Sequence, residues 1–327
     1  MTASGSGPLN GIGFGTWAWG NQLVWGYDPA RDDAVLEATF RQALASGLNV
    51  IDTADSYGTG RLNGRSEQLL GQFAAGLPRL RRSQLKIATK LAPFPWRVGR
   101  RGLDQALRSS LHRLNGHLQR VQLHWSTARY APWQEVQLLD GLADQVQAGV
   151  VPELGLSNVG PARLVWMQQR LAERSVPISS VQVQYSLLSP GDDLSNRLIH
   201  TCRDLGIEVL AYSPLAFGVL SQAPEADSLP GTALRRRLFK QLLPGSVALR
   251  TTIQAIARDR GVSMVQVALN WCRAHGTTPI PGLRSPEQAR DVAAAFTWSL
   301  STEEKDRLDR DRAACSRRAP ANPFQSR

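Results

Sequence analysis

A chain of 327 residues with 42% apolar and 20% charged side chains holds ample material for a sizeable core, which excludes a disordered or low-complexity class. Its 38 Lys and Arg against 27 Asp and Glu give a net charge of +11 and point to an anionic partner, whether a phosphate-bearing cofactor, nucleic acid or a membrane surface. The basic residues are scattered among Leu and Pro with no helix-turn-helix, zinc or aromatic-platform signature, so no nucleic acid is expected.

Cys202, Cys272 and Cys315 form no CxxC pattern, which argues against a disulfide framework and against a metal site. No apolar run approaches membrane-spanning length, and the opening MTASGSGPLNG has neither signal-peptide nor transit-peptide character. A cytoplasmic protein with no membrane partner is the expectation, and its oligomeric state is left open.

Along the chain, short apolar runs alternate with stretches of helical period. The runs 12–16, 48–52, 85–90, 121–124, 153–157, 180–184, 207–212 and 279–282 read as strands. Between and after them, 32–46, 65–75, 103–114, 133–148, 161–173, 194–204, 263–275 and 286–295 read as helices. Gly47 and Gly206 stand where helices would stop in a left-handed residue, and Pro161 suits a first helical turn. Eight strand-helix units are the arithmetic of a (β/α)8 barrel of the TIM type, one α/β domain over residues 1–327. An open doubly wound sheet shows the same local signals; the count favours the barrel. After the seventh strand, 213–244 reads as one long irregular connection.

In such a barrel, chemistry gathers where strands end. The second strand ends on Asp52 with Tyr57 in its loop, the third on Lys90 and the fourth on His124. Four polar groups on three adjacent strands would meet at one mouth. A phenol, with an ordinary pKa of about 10, is a slow proton donor to a forming alkoxide. An ammonium held by a carboxylate favours its ionised form, and an imidazole can orient a carbonyl oxygen. That set protonates a carbonyl but supplies no hydride, which must come from a cofactor.

The motifs GFGTW, DTADSYG, the lysine of ATK, QLHW, GLSN, VQVQYSLLS, AYSPL and IPGLRSPEQ, in this order, resemble the aldo-keto reductase family over nearly the whole chain. The resemblance implies a catalytic tetrad of Asp52, Tyr57, Lys90 and His124 and a cofactor of NADPH/NADP+. It implies that Ser157, Asn158 and Gln182 hold the nicotinamide carboxamide and that Tyr212 stacks on the ring, with Gly15, Thr16 and Trp17 beside the cofactor. Ser213, Leu215 and Gly218 would begin a loop, 213–244, that covers the pyrophosphate. Gly282, Arg284, Ser285 and Gln288 would grip the adenosine end, the guanidinium beside a hydroxyl suiting a 2′-phosphate.

Three departures from the family pattern stand out. Val292, after Asp291, stands where relatives place an Asn against adenine. Arg120 makes the fourth strand more polar than a buried strand should be, so only its last residues are expected inside. With eleven residues before Ile12, the hairpin that plugs the barrel floor in the family is expected to be short and another segment to cover that end.

Trp17, Trp25, Trp96 and Trp125 flank the mouth in sequence and suggest an aromatic-walled pocket for a flat, small-molecule aldehyde. Arg61, Arg97 and Arg129 would add positive charge there. The implied reaction is reduction of an aldehyde to a primary alcohol, with pyridoxal the leading substrate by resemblance. A broad reductase of small reactive aldehydes and a cofactor-sensing regulatory subunit are the alternatives.

Overall fold

The computed structural model describes residues 12–226 and 228–326. Eight parallel strands run in sequence order around a barrel: β1 Ile12–Gly15, β2 Leu48–Asp52, β3 Lys86–Leu91, β4 Arg120–Leu123, β5 Glu153–Ser157, β6 Ile178–Gln184, β7 Glu208–Tyr212 and β8 Thr278–Ile280. A bridge from Gly15 to Gly282 joins first strand to last, with Gly15 N donating to Pro281 O at 2.9 Å. An open sheet is therefore excluded, and all eight expected strands are present.

The expected helices are present with small shifts at their ends, and local chemistry explains them. In Pro29–Ala45, the Asp28 side chain caps the Ala30 amide, Pro29 opens the first turn, and Gly47 at φ +84° ends the unit. Leu36, Phe40 and Ala43, spaced to share one face, are buried against the sheet. Such burial contributes about 1.5–3 kcal/mol for each large side chain.

Inside the barrel, register decides which side chains meet. Lys90 pairs with Gln122, Gln122 with Gly155, and Gly155 with Ser180, so these residues form one belt. Gly155 is required there because an added Cβ would lie 2.9 Å from Ser180 Oγ and 3.0 Å from Gln122 Cγ. Without a side chain at 155, Gln122 and Arg120 can cross the barrel interior.

Arg120 departs from expectation: it is fully buried, and β4 lies inside along its whole length. It donates to Glu153 at 2.8 Å and lies 3.4 Å from Glu208, while Gln119 and Thr278 bond the remaining glutamate oxygens. Paired charges of matched geometry are what make the buried guanidinium tolerable. This cluster, at the N-terminal ends of the strands, fills the barrel floor among the described residues. The hairpin expected to plug that end falls on residues outside them.

The 213–244 connection is also more ordered than expected. It contains the 3-10 segment Ala216–Ser221 and the helix Ala233–Leu242, which buries Phe239 and Leu242. Four basic residues in ALRRRLFKQL hide that apolar face from a composition-based reading. Helices Gln22–Trp25, Arg79–Arg82, Val247–Arg260 and Thr302–Ala314 were likewise unforeseen. Behind the last helix, the chain returns over the barrel, with Ala319 N donating to Leu188 O at 2.7 Å.

Cys202 and Cys272 are free and buried, burial pushing each thiol up to about 12, whereas Cys315 is half-buried. No helix of the described residues is long and apolar enough to cross a membrane.

Candidate active site

Asp52, Tyr57, Lys90 and His124 line one cavity of about 770 Å³ at the C-terminal ends of the strands. Lys90 Nζ pairs with Asp52 Oδ2 and donates to Thr53 O at 2.8 Å. The other carboxylate oxygen accepts from Gln182 Nε2 at 2.7 Å and from Gln122 Nε2 at 3.1 Å. Asp52 is thus gripped by three donors and nearly inaccessible.

The Lys90 ammonium lies 4.9 Å from the Tyr57 ring centroid, and the Tyr57 and His124 rings meet edge to face at 6.1 Å. Tyr57 opens on the cavity but is enclosed on its other sides. Burial, and then the Asp52 charge, pushes its hydroxyl well above the ordinary tyrosine range. Burial outweighs the pull of the nearby Lys90 ammonium toward phenolate, so the hydroxyl is held protonated. Burial likewise lowers Lys90, with Asp52 opposing. His124 is driven well below its usual range by burial and by the charges of Lys90 and Arg97, so its ring is neutral. Its Nδ1 is buried without a hydrogen-bond partner among the described residues.

Beside this cluster, Ser157, Asn158, Gln182 and Tyr212 line the same cavity. Asn158, in the left-handed region at φ +57°, donates to His124 O at 3.0 Å and accepts from the Tyr212 hydroxyl at 2.9 Å. Farther along the wall come Gly15, Trp17, Ser213, Leu215 and Gly218, and beyond them Gly282, Arg284 and Gln288. Thr16 and Ser285 do not line it. Thr16 is buried and donates to Asp52 O at 3.0 Å, and Ser285 caps the helix Pro286–Ala294 by accepting from Gln288 N. Val292 and Asp291 both face the cavity, the latter accepting from Ser263 at 2.8 Å and Gln266 at 2.7 Å.

The aromatic residues divide. Trp17, Trp25 and Trp125 line the cavity, whereas Trp96 is 71% exposed and stacks on Phe94 outside it. Trp25 belongs to a cationic corner: Arg235 and Arg284 lie 4.3 and 5.9 Å from its ring centroid. Arg61, Arg97 and Arg129 are absent from the wall; Arg97 is held by Asp55 at 2.5 Å and by Ala92 O at 2.7 Å.

Sequence reasoning missed Gln122, although alternation along β4 places it on the same face as His124. It also missed Arg235, on a helix that composition concealed, and the tail Pro320–Phe324, which forms one wall. Phe324 stacks on Trp125 at 4.4 Å. No local pattern predicts where a tail returns.

Residues 11–312 match the family model described as the aldo/keto reductase family. The chain belongs to that family. It is 45% identical over 326 residues to the chloroplastic pyridoxal reductase of Arabidopsis thaliana, spanning 98% of this chain and 88% of that protein. Among solved structures, it resembles an aldo-keto reductase from Klebsiella pneumoniae in complex with NADPH, at 27% identity and a TM-score of 0.73, covering 95% of this chain and 94% of that one. It is also similar to a glycerol dehydrogenase from Gluconobacter oxydans, at 25% identity and a TM-score of 0.76, with the same coverage. This aldo/keto reductase is accordingly an oxidoreductase acting on a small carbonyl compound.

Proposed function

We propose that the protein is an NADPH-dependent reductase that converts an aldehyde to a primary alcohol, with pyridoxal as its leading substrate. The observation that carries this reading is the buried Lys90–Asp52 pair beneath Tyr57, with neutral His124 across the same cavity mouth.

The residues present suit a dinucleotide. Arg235 Nε is buried without a partner, and neither Arg235 nor Arg284 has an ion pair with a carboxylate among the described residues. Two half-buried guanidiniums around Trp25 favour a polyanion, and Arg284 would take the 2′-phosphate. Ser157 and Gln182 would hold the carboxamide beside Tyr212, with Asn158, its amide engaged by His124, Ser157, Tyr212 and Asn322, backing that face. The 213–244 segment would cover the pyrophosphate, and its attachment supports this: Thr232 Oγ1 donates to Val24 O at 2.7 Å.

When bound, NADPH supplies the hydride. His124, as a neutral imidazole, donates to the carbonyl oxygen and sets its direction. Tyr57, kept protonated by burial, gives up the proton of its Oη as charge develops on that oxygen. The Lys90 ammonium, held in place by Asp52, stabilises the phenolate left behind. Trp17, Trp125 and Phe324 exclude water around the substrate ring.

Support for pyridoxal comes from the Arabidopsis relative and from the neutral wall: the cations of the cavity are Lys90, committed to Asp52, and the two arginines at Trp25. The three free cysteines agree with a reducing compartment such as the cytoplasm. The test is NADPH oxidation by the purified protein with pyridoxal, benzaldehyde and methylglyoxal. Turnover of pyridoxal supports the proposal, and turnover of only the other two replaces it with a broad aldehyde reductase.

A further inference from the structure

The tail that walls the cavity is tied into the nicotinamide end by one side chain. Asn322 Nδ2 donates to the Tyr212 hydroxyl at 2.6 Å and to Asn158 Oδ1 at 3.0 Å. Tyr212 in turn donates to the same Asn158 oxygen at 2.9 Å. Asn322 Oδ1 accepts from Phe324 N at 2.9 Å. Both polar atoms of Asn322 are thus engaged within the protein, so it acts through the residues it holds.

The anchoring continues on both sides of this triangle. Ser326 N donates to Asn158 O at 3.1 Å, and its Oγ accepts from Gly160 N at 3.0 Å. Gln184 Nε2 reaches Pro320 O at 3.2 Å. Asn158 Nδ2 is fixed by His124 O at 3.0 Å and Ser157 Oγ at 3.1 Å. One network therefore runs from the tail through Tyr212 and Asn158 to the backbone of His124.

From this network we infer that Asn322 is a positioning residue: it sets the tilt of the Tyr212 ring and the orientation of the Asn158 amide, and thereby pre-organises the face that receives the nicotinamide. The inference rests on the NADPH reading proposed above. A side chain fixed before binding gives up less conformational freedom when the ligand arrives, so the effect falls on affinity. Because the same tail carries Phe324 onto Trp125, the substrate wall and the cofactor platform are one unit.

The experiment is a double-mutant cycle in NADPH binding, read by quenching of intrinsic fluorescence. Asn322→Ala and Tyr212→Phe are each expected to weaken NADPH roughly 3- to 10-fold, the range of one lost hydrogen bond. Tyr212→Phe in the Asn322→Ala background should cost clearly less than it does alone, because the hydroxyl has already lost its main donor. In turnover, Asn322→Ala should raise the KM for NADPH more than it lowers kcat. Fold-changes that simply multiply, or an Asn322→Ala affinity equal to wild type, overturn the inference while leaving the proposed function intact. A wild-type protein that does not bind NADPH overturns both.

Discussion

Lys90 and Gln122 are register partners on adjacent strands whose side chains converge on the two oxygens of Asp52, the ammonium on Oδ2 and the amide on Oδ1 at 3.1 Å. The carboxylate is therefore fixed in position as well as neutralised. Lys90→Met would leave it buried beside amides alone. A stability loss of about 3 kcal/mol is expected in urea unfolding, together with a fall in kcat of roughly 100-fold or more. Near-normal turnover in a folded Lys90→Met protein would remove Lys90 from the mechanism.

Tyr57→Phe removes the proton donor and keeps the ring. Aldehyde reduction should drop by about 10²–10⁴ in kcat, with NADPH affinity nearly unchanged. Steady-state kinetics alongside a binding titration separates the two effects.

The pH dependence follows from two opposite shifts. Reduction needs Tyr57 protonated, so activity is present below the Tyr57 pKa and lost as pH rises through it; that pKa is raised by burial. It also needs His124 neutral, so activity is lost only as pH falls through a value that burial has lowered. The kcat profile should therefore be flat across the neutral range, from about pH 6 to pH 9, given ordinary values of about 6.5 and 10 for the two groups. A descending limb near neutrality would show that the field around the phenol differs from that of this structure.

Arg284→Ala tests the adenosine end. If the guanidinium meets the 2′-phosphate, the preference for NADPH over NADH should fall by about 10-fold or more, most of it in KM. An unchanged ratio would assign the phosphate elsewhere, with Arg235 the next residue to test.

Arg120→Met addresses the floor. It leaves Glu153 buried without the Arg120 guanidinium, and a loss of about 3–5 kcal/mol is expected at neutral pH. In the variant, folding favours protonation of Glu153, so its deficit should shrink as pH falls toward the ordinary glutamate range. Urea midpoints at pH 7 and pH 5 are the measurement.

Much of this architecture was legible in the chain because βα repetition and strand-end chemistry are local signals. Asp52, Tyr57, Lys90 and His124 each sit within a few residues of an apolar run, and period-2 alternation fixes which face Asp52 and Lys90 take on their strands. Arg120 was misread because a single strand does not reveal that Glu153 and Glu208 wait on other strands to pair with it. Trp96 was misplaced because proximity in sequence to the mouth says nothing of which way an indole turns; it turned out, onto Phe94. Asn322 lies 110 residues from Tyr212 and 164 from Asn158, and no periodicity spans such distances.

The cysteines carry a practical consequence. With Cys202 and Cys272 sealed in the core and their thiols held protonated, a maleimide dye at neutral pH should modify Cys315 selectively. That sulfur lies where the last helix hands over to the returning segment, 3.2 Å from the Arg317 carbonyl. A fluorophore attached there would mark the root of the segment that walls the cavity without entering the cavity itself.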